Sequence, residues 1–278
     1  MQSTGNDIKI TVDGNTICYD DFGSGTTPII FIHGFPFNKS TWQPQMEALK
    51  ENHRVIAYDI RGFGNSSATD ENFSINLFAD DLIKFMDALQ IQKSIVCGLS
   101  MGGYIALNAV NRYAKRFEAL ILCDTQCIAD SEMVKDNRYK TIKEIEENGL
   151  NQFATNFIET AFCEETLKTK VNAVNTIKNI ILSTSQKTIT KTLTALANRQ
   201  ELCFSLPQIF IPALILCGRE DKITPLKQSE YLNDHFVYST LHSLDKAGHL
   251  SNLEQPAAFN KYVNEFISIL NPATVAQI

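Results

Sequence analysis

Ser94-Ile95-Val96-Cys97-Gly98-Leu99-Ser100-Met101-Gly102-Gly103-Tyr104-Ile105-Ala106-Leu107 runs from one apolar stretch, through Gly-x-Ser-x-Gly, into another. The order strand, tight turn, helix predicts that Ser100 stands at a sharp elbow. Its backbone would be strained and its hydroxyl held clear of the sheet, beside the positive end of the helix. Strain of this kind survives where surrounding structure imposes it, and it collects at reactive sites. The motif alone is weak. With Gly and Ser each near 7% of residues, chance supplies one in roughly one chain in ten of this length.

A nucleophilic serine needs a base, and the base needs an acid to hold its tautomer. Downstream, Asp221 lies in Gly218-Arg219-Glu220-Asp221-Lys222-Ile223-Thr224-Pro225, after the apolar Ala213-Leu214-Ile215-Leu216-Cys217. His249 lies in Ala247-Gly248-His249-Leu250, just past the strand-like Ser239-Thr240-Leu241-His242-Ser243-Leu244. Each occupies a loop after a strand, where a parallel sheet presents its ligand-binding edge. Asp124, after Leu120-Ile121-Leu122-Cys123, is a rival for the acid.

Around these residues the pattern alternates. Residues 8–12 and 16–20 flank Asp13-Gly14-Asn15, a hairpin signal. Pro28-Ile29-Ile30-Phe31-Ile32 is continuously apolar, as in a strand covered on both faces. A helix is predicted over 42–51 and a strand over 54–58. Ile75, Phe78, Leu82, Phe85, Met86 and Leu89 then recur at helical spacing. Further strands are expected at 94–97 and 119–123, with a helix over 102–113 between them. Alternating β and α units imply a parallel sheet with helices on both faces.

The alternation stops near Cys127 and resumes at Ile211. Leu167, Val171, Val174, Ile177 and Ile181 keep helical spacing within that interval, and no proline falls between Pro44 and Pro207. Residues 129–205 therefore read as a helical insertion, with 1–128 and 206–278 forming one core. An insertion beside the nucleophile would wall off a pocket and exclude water. The chain closes with a strand and an amphipathic helix through Phe259, Val263, Phe266, Ile267 and Leu270.

The 278 residues, 44% of them hydrophobic, suffice for one sizeable core plus an insertion. A net charge of −6, with no compensating Lys/Arg run, argues against nucleic acid and anionic membranes as partners. No apolar stretch approaches the length of a membrane span. The opening residues, 1–7, are polar and lack a charged-then-apolar leader pattern. Seven cysteines, with no CxxC pair or Cys/His cluster, give no sign of zinc. Cys97, Cys123 and Cys217 read as small buried hydrophobes, and a cytoplasmic location fits.

Several pieces together carry a resemblance. They are His33-Gly34-Phe35-Pro36, Asp59-Ile60-Arg61-Gly62-Phe63-Gly64-Asn65-Ser66, the elbow from Gly98 to Gly103, the Asp221 loop and Gly248-His249. Over nearly its whole length the chain resembles the α/β-hydrolase fold family. It looks closest to the branch of small bacterial esterases, enol-lactone hydrolases and carbon–carbon bond hydrolases. Cofactor-free perhydrolases and haloperoxidases look similar. The resemblance implies a mostly parallel central sheet with a helical cap, and catalysis by Ser100, His249 and Asp221 without metal or cofactor. It favours Asp221 over Asp124, because the Gly-Arg-Glu-Asp-Lys-Ile-Thr-Pro setting matches the family's acid loop. It implies an oxyanion hole from the backbone N–H groups of Phe35 and Met101, and a structural role for His33. Asp59 and Arg61 would brace their loop.

Trp42, Phe37 and Asp124 are expected near the substrate pocket. The expected activity is hydrolysis of carboxylic esters with small or medium acyl groups. An alternative is enol-lactone or carbon–carbon hydrolysis, in which a cap arginine would hold a substrate carboxylate; Arg138 and Arg199 are in range. A small-molecule receptor that retained the triad is a further alternative. Partners beyond a small-molecule substrate are not expected, and the chain would act as a monomer or homodimer.

Overall fold

The computed structural model describes residues 4–270. The polar opening read above for a leader pattern thus falls partly, at residues 1–3, outside the described residues. Among the described residues eight strands form one sheet, in the order β1-β2-β4-β3-β5-β6-β7-β8. They are β1 (Gly5–Val12), β2 (Asn15–Phe22), β3 (Ile29–Ile32), β4 (Val55–Tyr58), β5 (Ser94–Leu99), β6 (Phe117–Cys123), β7 (Ala213–Gly218) and β8 (Ser239–Leu244). Only β2 runs against the others: it is antiparallel to both its neighbours, β1 and β4, while β4, β3, β5, β6, β7 and β8 pair parallel to one another.

The apolar strands are buried on both faces, and the pleat sends alternate residues to opposite layers. Ile30, Ile32, Ile56, Tyr58, Val96, Leu120 and Ile215 pack in one core with α2 (Ile75–Ala88) and α3 (Met101–Tyr113). Ile29, Phe31, Val55, Ala57, Ile95, Cys97 and Leu214 pack in the other, with α1 (Gln43–Leu49) and the closing helix over Pro256–Leu270. The helix α2 forms where its apolar residues recur every three or four positions, and Ser74 caps it by accepting from the Leu77 N–H. It buries Phe78, Leu82, Phe85 and Met86 against the sheet. Cutting Leu82 back to alanine would cost about 2–5 kcal/mol.

Between β6 and β7 the chain forms five helices: α4 (Glu132–Asn148), α5 (Asn151–Ala161), α6 (Glu164–Thr169), α7 (Val171–Ser183) and α8 (Gln186–Ala197). Their apolar faces join the two cores: Ile158 and Ile181 on one side, Ile189 and Leu193 on the other. After β7 come α9 (Leu226–His235), then α10 (Ser251–Glu254) and the closing helix α11 (Pro256–Leu270). The helix α9 escapes the sequence reading because only Ser229 and Leu232 of its residues are buried, which leaves no apolar stripe.

One cysteine pairing lies outside the sequence reading. Cys127 and Cys203, 76 residues apart, form a disulfide at the two roots of the helical insertion. Long-range pairing is invisible in cysteine spacing, and bonds of this kind persist mainly in oxidising surroundings. Cys97, Cys123 and Cys217 are buried and free, as read. No helix among the described residues is long and apolar enough to cross a membrane.

Candidate active site

The elbow forms as its sequence dictates. Ser100 links β5 to α3 with φ 53° and ψ −113°, a conformation that L-residues avoid. It is pinned by its N–H donating to Cys123 O at 2.8 Å and its own carbonyl accepting from the Thr125 hydroxyl at 2.8 Å. The turn is too tight for a side chain at Gly98, where a Cβ would lie 2.3 Å from Gly102 O. Met101 opens α3, so its N–H has no intrahelical acceptor.

The loop after β3 lies against this elbow. A Cβ on Gly34 would stand 3.2 Å from Ser100 Cβ, which sets Phe35 next to Ser100. His33 fixes the loop. Its Nε2 accepts from the Ile60 N–H at 3.0 Å, so Nδ1 carries the proton and donates to Gly34 O at 2.9 Å. Burial, only partly offset by the bond to Gly34, holds this imidazole neutral, with its pKa lowered to about 4.

Asp221 and His249 come together from the loops after β7 and β8. Asp221 Oδ2 accepts the Nδ1 proton of His249 at 2.8 Å and the Thr224 hydroxyl at 2.7 Å. The backbone N–H groups of Ile223 and Thr224 reach its Oδ1 at 2.8 and 3.0 Å. Both side chains are shut away from water. Burial disfavours the imidazolium, but the Asp221 charge and hydrogen bond outweigh it and raise the His249 pKa. The same pairing overcomes the burial of Asp221 and lowers its pKa. His249 Nε2 is buried with no hydrogen-bond partner among the described residues. The Ser100 hydroxyl thus does not bond it here; such contacts are often long until substrate closes the site.

Asp124 is not a pocket residue, which corrects the sequence expectation. It is fully buried, also at positive φ (46°), and ties neighbouring loops together. Its Oδ1 accepts from the Gly218 N–H at 2.7 Å and its Oδ2 from the Ser251 hydroxyl at 2.5 Å. Burial, then the nearby Asp221 charge, push its pKa well up. Asp124, Cys217 and Asp221 present ligand-type atoms within 4.8 Å of one another. Both carboxylates are already filled by donors, and burial keeps the Cys217 thiol protonated.

Trp42 and Phe37 are likewise buried rather than pocket-lining. Trp42 packs between Phe31 and Phe259, with ring centroids 4.9 and 6.1 Å away. Phe37 lies under Phe157 at 5.8 Å. Aromatic rings of the cap also reach the loop after β3: Phe153 and Phe157 lie 6.1 and 6.2 Å from Phe35. They line a cavity of about 670 Å3 between α4 and α5, which Ile223 of the Asp221 loop also reaches. None of Ser100, Asp221 and His249 lines it. Its size suits a small ligand. Glu144 is the one charged side chain on its wall; the rest are apolar, amide or hydroxyl groups.

Both cap arginines are engaged elsewhere. Arg138 and Arg199 pair with the two oxygens of Asp130 at 2.5 and 2.6 Å. Arg199 is buried over the Tyr104 ring and also donates to the Leu196 and Ile128 carbonyls. Asp59 accepts from the Lys39 and Asn65 N–H groups, and Arg61 pairs with Asp81 and Glu71, so both brace loops. Sequence reasoning missed Thr224, Ser251 and Glu254 as parts of the site. Thr224 carried a signal, since a hydroxyl three residues after an acid in a turn can bond it.

A sequence profile of the alpha/beta hydrolase fold matches residues 27–256. The chain belongs to the alpha/beta hydrolase fold family. It is 29% identical over 263 residues to 3-oxoadipate enol-lactonase 2 of Acinetobacter baylyi, covering 94% of this chain and 97% of that one. A solved structure of a thermophilic esterase from Thermogutta terrifontis superposes with a TM-score of 0.90 at 30% identity, over 95% of this chain and 98% of that one. An enol-lactonase from Burkholderia xenovorans superposes at 0.88 with 26% identity, over 94% and 100% of the two chains. Hydrolases of two kinds, an esterase and a lactonase, thus share its shape.

Proposed function

We propose that the protein is a serine hydrolase of uncharged carboxylic esters with small or medium acyl groups, working through an acyl-enzyme on Ser100. The observation that carries this reading is the buried pair Asp221–His249. The bond at Nδ1 fixes the tautomer and leaves Nε2 as a bare, buried acceptor at the sheet edge that bears the Ser100 elbow. A base in that state can take the proton of a hydroxyl brought against it.

In this mechanism the Ser100 proton passes to His249 Nε2 as Oγ bonds to the ester carbonyl carbon. The carbonyl π electrons move to oxygen, and the Phe35 and Met101 N–H groups receive the oxyanion. Each such donor typically contributes about 3–4 kcal/mol to the transition state. Collapse breaks the bond to the alcohol, which leaves with the proton from His249. Water, deprotonated by His249, then attacks the acyl-enzyme, and Ser100 regains its proton. Asp221 stabilises the imidazolium and stays ionised.

The same steps open a lactone, and the likeness to enol-lactonases keeps that as the second reading. What favours an uncharged ester is the fate of the cap arginines. A substrate with a free carboxylate needs a cation, yet Arg138 and Arg199 are spent on Asp130. Intact mass after brief exposure to p-nitrophenyl butyrate tests the reading: one butyryl group on the wild type and none on Ser100→Ala supports it. A butyryl group on the variant overturns it.

A further inference from the structure

Glu254 ends α10, five residues after His249, and its carboxylate is completely buried. One oxygen, Oε1, accepts the Gly248 N–H at 2.7 Å. The other accepts the Cys163 N–H at 2.9 Å. Gly248 precedes His249; Cys163 is the joint between the cap helices α5 and α6. A single carboxylate thus spans the seam between histidine loop and cap.

Other contacts follow the same seam. The His249 N–H donates to Ala161 O, at the end of α5, at 2.7 Å. The Cys163 thiol donates to Lys246 O at 3.4 Å, and Lys170 of the cap donates to Glu254 O at 2.6 Å. The approach is so close that a Cβ on Gly248 would lie 2.7 Å from Ala161 O and 2.8 Å from Cys163 N. Burying a carboxylate is costly, and it is tolerated where charge-assisted bonds satisfy both oxygens. Here both bonds go to backbone amides of segments far apart in sequence. A device that merely filled space would not need the charge.

We propose that Glu254 is a positioning residue that locks the histidine loop to the cap, so that His249 is held in register only while the segment 161–163 is seated. This rests on the reading of His249 as the base. Glu254 touches no reacting atom; it acts through the Gly248 amide and through its field. The charged and titratable groups around His249 are Asp221 after β7, Asp124 at the end of β6, Glu254 on α10, and, across the seam, the Cys163 thiol and Lys170. Asp221, Asp124 and Glu254 each favour the imidazolium.

The test is steady-state kinetics of Glu254→Gln and Glu254→Asp on p-nitrophenyl butyrate, with circular dichroism to count folded protein. Glutamine keeps an acceptor for one amide but turns its NH2 toward the other. It should lower kcat by roughly 10- to 100-fold, the scale of a misplacement near 1 Å, with KM within about threefold. Loss of the charge should also move the acid limb of kcat/KM to lower pH. Aspartate keeps the charge but is too short to span both amides, so the limb should stay in place while kcat falls. A Gln variant with wild-type kcat per folded molecule and an unmoved limb overturns the proposal.

Amide exchange on the wild type covers the case in which the variants do not fold. The Gly248 and Cys163 amides should open together with one rate, and unrelated rates overturn the lock. Exchange does not depend on turnover, so a wild type that hydrolyses no ester would refute the functional reading while the lock is judged separately.

Discussion

The carboxylate of Asp221 meets His249 Nδ1 at 2.8 Å inside a wall that excludes water from both side chains, and Thr224 bridges the pair with a hydroxyl 3.2 Å from the same nitrogen. The consequence is electrostatic. Burial alone would make His249 a weaker base than a free histidine, but the paired carboxylate reverses the sign and raises its pKa above 6.5.

The direction fixes the pH profile. His249 must be neutral to accept the Ser100 proton, so activity is present above its pKa and is lost as pH falls through it. Because that pKa is raised, the acid limb of kcat/KM should lie above pH 6.5, with a tenfold loss per pH unit below it. A profile flat from pH 8 to 5 would contradict a histidine base. A limb near pH 5 would contradict the dominance of Asp221.

His33 is expected to act on the oxyanion loop, not on protons. Replacing it with alanine removes the bonds to Gly34 O and to the Ile60 N–H and frees the Phe35 amide to drift. The expected loss in kcat is roughly a hundredfold, near that of losing one oxyanion donor, with KM little changed. Variant kinetics per folded molecule check this; a kcat within twofold of wild type would remove His33 from the site.

Much of this was legible in the chain. The strands β3 to β7 were readable because burial on both faces demands unbroken apolar runs, and the elbow because only glycine fits where Gly98 does. His249 and Asp221 were readable from their loops. The failures have physical reasons. Trp42 and Phe37 are aromatics beside a reactive loop, and sequence cannot say which side of the sheet a ring turns to. Asp124 looks like a second acid because an aspartate after a strand is written the same way whether it faces substrate or ties Gly218 to Ser251. Glu254 was passed over because its partners, Gly248 and Cys163, contribute backbone amides, which leave no trace in side-chain patterns.

Substrate charge follows from the pairing of Arg138 and Arg199 with Asp130. The p-nitrophenyl ester of butyrate should be favoured in kcat/KM at least tenfold over the monoester of succinate, a step of about 1.4 kcal/mol. Parallel assays at low salt compare them. Preference for the anionic ester would contradict the reading of the cap and would favour a substrate bearing a carboxylate.

The disulfide gives a countable expectation. Of seven cysteines, five are free and two are joined at the roots of the cap. Alkylation in denaturant without reductant should label five thiols, and seven after reduction. Seven labelled without reductant would show the cap roots to be unlinked in the protein as isolated.

The most direct measurement is the steady-state hydrolysis of p-nitrophenyl acetate, butyrate and octanoate by wild type and by Ser100→Ala. The expected result is saturable turnover by the wild type. The folded variant should lose more than a thousandfold of it, since what survives the loss of a triad member is only the contribution of the oxyanion hole and binding. Turnover by Ser100→Ala at the wild-type rate would contradict the nucleophile, and with it the account of how Ser100, His249 and Asp221 work together.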